Sequence, residues 1–96
     1  MPRKPPTGIV SLRNIPNIGP RTEGDFHRLG ITRPQQLIGK DGLSLYRKLC
    51  RVDGVRHDPC CIDVFLAAVD YMGGAPRRPW FWYTAGRKKL LKSAEK

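Results

Sequence analysis

The sequence predicts an all-α fold, a compact bundle of about five short helices with an aromatic and basic C-terminal segment. Three observations carry this expectation. No stretch alternates apolar and polar residues convincingly enough for a sheet strand. Helix start signals recur at Gly19-Pro20, Asp41-Gly42 and Asp58-Pro59, with glycine stops at Gly30 and Gly73-Gly74. The segment from residue 59 to 72 is apolar nearly all round, as befits a helix in the middle of a bundle.

Each element has its own local logic. Residues 1–7 hold three prolines, an arginine and a lysine, and read as a disordered or extended arm. Thr7 is placed to cap a short helix over residues 9–14, with Leu12 and Ile15 facing inward. A tight turn at Asn17-Ile18-Gly19 leads into a helix from Pro20 to Leu29. Pro20 suits the first helical position, where its missing N–H costs nothing, and Gly30 suits the residue just past the end. Phe26 and Leu29 supply that helix's apolar face.

Thr32-Arg33-Pro34-Gln35 has capping-box spacing and opens a short helix ending near Gly39, with Leu37 and Ile38 inside. Asp41 caps the next helix, from Gly42 to about Arg51. Leu45, Leu49 and Val52 mark its buried stripe, Tyr46 adds to it, and Arg47, Lys48 and Arg51 lie toward solvent. Asp58-Pro59 starts the long apolar helix, whose Ile62, Phe65, Leu66, Val69 and Met72 share a face up to the stop at Gly73-Gly74. Beyond it come Pro76-Arg77-Arg78-Pro79, Trp80-Phe81-Trp82-Tyr83 and a basic stretch through Arg87, Lys88, Lys89 and Lys92. The organisation is an arm at 1–7, a helical domain at 8–86 and a basic tail at 87–96.

Ninety-six residues form one domain with a modest core. The net charge of +10 favours polyanionic partners through attraction and counterion release, although basic tails also serve solubility alone. The longest apolar run is far short of a membrane span, and no apolar stretch of signal length follows the charged N-terminus, so the expected location is cytoplasmic, with no membrane partner. Cys50, Cys60 and Cys61 cannot pair completely and are expected to be reduced.

The most informative stretch is the turn before Pro20. With Gly19 as N-cap, free backbone N–H groups point outward at the positive end of a helix dipole, and Arg21 stands beside them. Such a site attracts a phosphate. The pattern resembles the helix-hairpin-helix motif of non-specific DNA-binding proteins: Ile15-Pro16, Ile18-Gly19 and Gly30-Ile31 match its hydrophobic and glycine positions. Asn17 stands where a glycine is common, and asparagine tolerates left-handed φ. Glu23 stands where a small residue is typical and brings a negative charge within a turn of the proposed phosphate. Ile38-Gly39 is a weak candidate for a degenerate second hairpin, with the acidic Asp41 in its turn.

With Asp58-Pro59-Cys60 and the Pro-Trp aromatic segment added, residues 9–88 resemble the small bacterial proteins labelled pathogenicity-locus or mitomycin-resistance proteins, which contain a helix-hairpin-helix domain. A weaker similarity is to the C-terminal helical domain of TfoX-type competence regulators. The resemblance implies the fold and little settled biochemistry.

The expected function is non-sequence-specific binding of DNA, or of RNA, through phosphates. The candidate contacts are Asn17, Ile18, Gly19, Arg21, Thr22, Arg28, Arg87, Lys88 and Lys89. A hairpin that only packs helices, or that docks a protein partner, is the alternative. Trp80 and Trp82 are expected to cover the central helix, leaving Phe81 and Tyr83 on the other side if the segment is extended; the competing use of these rings is stacking on unpaired bases. His57-x2-Cys60 has metal-pair spacing, but Cys60 and Cys61 diverge by about 100° on a helix, so no metal or other cofactor is expected. Catalysis is not expected: Asp41 and Asp58 serve as caps, and Asp63 and Asp70 lie two turns apart.

Overall fold

A computed structural model describes residues 4–94; residues 1–3 of the expected arm and 95–96 of the expected tail lie outside it. The described chain is all-helical, with no strand. Four α-helices, α1 (Pro20–Arg28), α2 (Gly42–Asp53), α3 (Cys60–Met72) and α4 (Thr84–Ala94), alternate with 3-10 turns at Leu12–Asn14, Pro34–Leu37 and Trp80–Tyr83.

The apolar helix is the centre, as its sequence implies. α3 packs against α2, α4 and the second and third 3-10 turns. Ile62, Phe65, Ala68 and Met72 are essentially inaccessible, while Leu66 and Val69 are partly covered. The Phe65 ring meets Phe26 of α1 with centroids 5.0 Å apart and planes tilted by 31°. Each such side chain, fully withdrawn from water, contributes about 1.5–3 kcal/mol. Leu12, Ile15 and Ile18 bring the N-terminal segment into the same core, which seats the turn before α1.

Several local expectations need correction. Thr7 does not cap a helix: Ser11 caps a single 3-10 turn instead, its Oγ accepting from Arg13 N–H at 3.2 Å, while Asn14 Oδ1 reaches back to the Ser11 amide at 3.0 Å. The cap at Thr32 works from a different residue. Gln36, not Gln35, turns back to accept from the Thr32 and Arg33 amides at 2.7 and 2.8 Å, and Gln35 donates to the Ile9 carbonyl at 3.0 Å. The resulting element is a 3-10 turn with three residues per turn, so Leu37 is buried and Ile38 rotates outward. Val52 is also exposed; it lies in the last turn of α2, which ends at Asp53 before Gly54 takes φ +68°.

The other caps form as expected. Asp41 Oδ2 accepts from Ser44 N–H at 3.2 Å at the start of α2. Asp58 Oδ1 accepts from Cys60 N–H at 2.9 Å at the start of α3. Gly30 takes φ +82° at the end of α1.

Gly42 is where α2 and α3 approach most closely. A Cβ there would lie 2.9 Å from Leu66 Cδ2, 3.0 Å from Leu66 N and 3.2 Å from Leu66 Cα. Two of these atoms are backbone of the central helix and cannot step aside. Gly42→Ala is therefore expected to lower stability by about 1–3 kcal/mol despite the better helix propensity of alanine. Urea denaturation of both proteins checks this; a variant as stable as the parent would show that the two helices can part at no cost.

Candidate nucleic-acid interface

The turn is built by Ile15-Pro16-Asn17-Ile18. Ile18 N–H donates to Ile15 C=O at 3.3 Å, Pro16 occupies the second position, and Asn17 takes φ +72° at the third, the pattern of a type II turn. One expected contact is thereby corrected: the Ile18 amide is consumed inside the turn and faces no ligand. Gly19 follows as N-cap, with φ −101° and no side chain to satisfy the helix start. The first closing bond runs from Glu23 N–H to Gly19 C=O at 3.0 Å. Among the described residues, the amides of Gly19, Arg21 and Thr22 meet no acceptor, and Pro20 has no N–H to offer. They sit at the positive end of α1. A side chain at Gly19 would have room, since a Cβ on it would meet nothing within 4 Å. Arg21 is exposed and makes no ion pair among the described residues. Glu23 lies 3.9 Å from Arg13, which offsets part of its charge.

Asn17 has a role beyond its backbone angle. Its side-chain Nδ2 donates to the Arg78 carbonyl at 2.8 Å, and its Oδ1 accepts from Trp80 N–H at 3.3 Å. A glycine here would allow the turn but lose this clamp. The clamp draws the aromatic segment against the hairpin. A shallow depression of about 380 Å³ lies between Pro16, Asn17 and Arg77-Arg78-Pro79. A second cleft of about 230 Å³ lies between Arg21 and Thr22 of α1, the start of α3 and the Trp80 ring.

The aromatic segment is not core, which corrects the expectation for Trp80 and Trp82. They are 40% and 62% exposed, and Phe81 is 63% exposed. The segment is a 3-10 turn rather than an extended strand, so its rings fan outward instead of alternating. The turn still packs against α3, but with its tryptophans at the surface rather than within the core. Trp80 and Phe81 pack edge to face at 5.9 Å, and the Arg78 guanidinium lies 5.0 Å from the centre of the Trp82 ring. Tyr83 alone of the four is half-buried, its hydroxyl donating to Asp70 Oδ2 at 2.9 Å and accepting from Arg78 at 3.3 Å.

Two of the expected contacts carry charge that is already committed. Arg28 sits at the far end of α1, about 14 Å along the axis from Gly19. Its Nε and Nη2 donate to the two oxygens of Asp53 at 2.9 and 3.0 Å, and Nη2 also reaches Asp25. This fork ties α1 to α2. The hydrogen bonds from Arg28, then the contact with His57 at 2.7 Å, hold the Asp53 carboxyl below its usual range. Arg87 donates from Nε to Asp63 Oδ1 at 3.0 Å, and Thr84 Oγ1 donates to Asp63 Oδ2 at 2.7 Å. Asp63 is wholly buried, so Arg87 is a pin between α3 and α4. Residues 84–94, including the described part of the basic stretch, are one helix packed on the core through Arg87 and Leu91. Lys88 and Lys89 are exposed on that helix and make no ion pair among the described residues. The structure thus brings Asn17, Gly19, Arg21 and Thr22 together at the hairpin with the aromatic turn, and leaves Arg28 and Arg87 occupied elsewhere.

The thiols at the cleft are not activated. A helix start ordinarily favours thiolate. Here the Asp58 carboxylate beside Cys60 pushes that thiol up, and burial pushes Cys61 up. Among the described residues, no group of three or more His, Cys, Asp or Glu side chains gathers to hold a metal. No described helix is long and apolar enough to cross a membrane.

Fold and surface together define a small all-helical domain with a cationic, aromatic face beside a tight hairpin turn. The chain belongs to the pathogenicity locus family (Cdd1), whose model matches residues 6–89. It is 41% identical over 80 residues to the mitomycin resistance protein McrB of Streptomyces lavendulae, covering 83% of this chain and 76% of that protein. No solved structure matches.

Two outcomes follow from the committed charges. Arg87→Met leaves the buried Asp63 with only Thr84, and is expected to cost about 3 kcal/mol, the low end for breaking a buried pair; a melting temperature equal to the parent's would show that Asp63 needs no cation. The Asp53 pair carries a pH sign. A carboxyl whose value is lowered by folding contributes stability above its unfolded value, near pH 4, and loses it as pH falls through the lower folded value. The stability gap between the parent and Asp53→Asn should therefore be full at pH 6 and shrink steadily on acidification below about pH 4. A gap that stays constant down to pH 2 would remove Asp53 from this account.

Proposed function

We propose that this chain binds nucleic acid, DNA in the first place, without sequence specificity and without catalysis, through a helix-hairpin-helix type of phosphate contact, and that it does so in the cytoplasm. The observation that carries this reading is the set of amides on Gly19, Arg21 and Thr22 that meet no acceptor among the described residues, with the exposed Arg21, which has no ion pair among them, alongside. Three hydrogen-bond donors and a charge in one concave corner suit a phosphate oxygen, and nothing in them distinguishes one base from another. The net charge of +10 supplies long-range attraction, with Lys88 and Lys89 as free contributors. Arg28 and Arg87 do not belong to this contact set, because their guanidinium groups serve carboxylates of the fold.

Gly19→Glu is a clean probe, since the residue has an ordinary φ and room for a side chain. A carboxylate at that place opposes a phosphate without disturbing the core. Gly19→Glu should weaken DNA binding at low salt by about tenfold or more, and Arg21→Gln should flatten the dependence of log K on log salt by about one unit. Fluorescence anisotropy with a labelled oligonucleotide, titrated with NaCl, measures both. Unchanged affinity in Gly19→Glu rejects the hairpin as the contact, and absence of salt-dependent binding in the parent favours a protein partner.

A further inference from the structure

The aromatic rings Trp80, Phe81 and Trp82 are exposed beside the phosphate corner, with cations around them. Rings that stay 62–63% in water, as Trp82 and Phe81 do, contribute only part of what their burial would give. Their support is nevertheless firm. The Asn17 side chain holds the entry to the turn at two backbone atoms, and Tyr83 holds its exit to Asp70. The rings are thus presented on a fixed scaffold rather than on a loose loop.

We infer that this aromatic turn is a stacking platform for unpaired bases, and that the ligand class of the proposed nucleic-acid site is single-stranded. This deepens, and rests on, the phosphate reading of the hairpin. Charge complementarity selects the occupant. Arg78 lies over Trp82 at 5.0 Å but is already paired with Asp70 at 3.5 Å. The cations here with no carboxylate partner among the described residues are Arg77, which borders the depression beside Asn17, and Lys88 and Lys89 on α4. An apolar protein surface laid on these rings would have to strip water from that cluster of cations with nothing to offer in return. A single strand offers both complements at once, flat π faces for the rings and phosphates for the cations. A duplex offers only the phosphates, because its base faces are closed within the stack.

The hairpin and the platform are continuous. The cleft of about 230 Å³ has Arg21 and Thr22 on one wall and the Trp80 ring on another, with the carboxylates of Asp25 and Asp58 also in its lining. A strand whose phosphate sits at the α1 amides therefore passes Trp80 on leaving the corner, and Phe81 and Trp82 lie next along the turn.

The test uses the full chain and three probes of equal length: oligo(dT), a base-paired hairpin duplex, and an abasic strand with the same phosphates. Oligo(dT) should quench tryptophan emission and bind more tightly than either other probe. Trp82→Ala and Phe81→Ala should each weaken oligo(dT) binding by about fivefold or more, leave the duplex and abasic affinities in place, and leave the salt slope unaltered. Trp82→Phe should retain most of the affinity. Both rings are exposed, so thermal melting of these variants should match the parent and exclude misfolding as the cause. Equal parental affinity for all three probes, or an equal loss for all three in Trp82→Ala, overturns the stacking role and leaves the phosphate reading standing. Failure of the parent to bind any of them at low salt overturns both.

Discussion

Everything in this molecule is arranged around the burial of one helix. α3 is apolar on most of its circumference, and a chain of 96 residues has little else with which to cover it. α2 takes one side at the close contact through Gly42, α1 brings Phe26 to Phe65, and α4 and two 3-10 turns close the remainder. Asp63, the carboxylate caught deepest inside, is met by a cation from α4, Arg87. The requirement to wrap α3 thus converts part of an apparently free basic stretch into structure.

That conversion explains which parts of the molecule could be read from its sequence. The helices were legible because caps, stops and apolar spacing act locally: Gly19-Pro20, Asp41, Asp58 and Gly30 all perform the tasks their chemistry suggests. The 3-10 turns were not, because a shift from 3.6 to three residues per turn changes which side chain faces inward without changing the composition. Ile38 and the tryptophans were misplaced for that reason. The fate of the cations was half legible. Asp25 and Arg28 stand three apart on α1, a spacing that signals contact along a helix, whereas His57 meets Asp53 only because the chain turns back at Gly54 past the end of α2. The long-range pair of Arg28 with Asp53 has no such local mark. An aspartate embedded between Ile62 and Val64 was the available warning that some distant cation would be drawn inward.

The departures from the expected hairpin pattern have physical explanations. Asn17 replaces a glycine because its backbone can follow the turn while its amide group performs a second task on the strand of chain at 78–80. Glu23 has Arg13 within reach, so its negative charge does not act on the corner alone. The surface that results joins a backbone feature, which recognises charge and shape, to a side-chain feature, which recognises flat rings. Their proximity is a property of tertiary structure, and more than sixty positions of sequence separate Asn17 from Trp80.

That separation has a consequence for how the protein comes into being. During synthesis the hairpin leaves the ribosome early, yet its asparagine has no partner until the chain has grown through residue 80. A product cut short before residue 78 therefore lacks both backbone partners of Asn17 and the rings beside the corner. The complete surface arises late and all at once, so possession of it certifies that the domain has been finished.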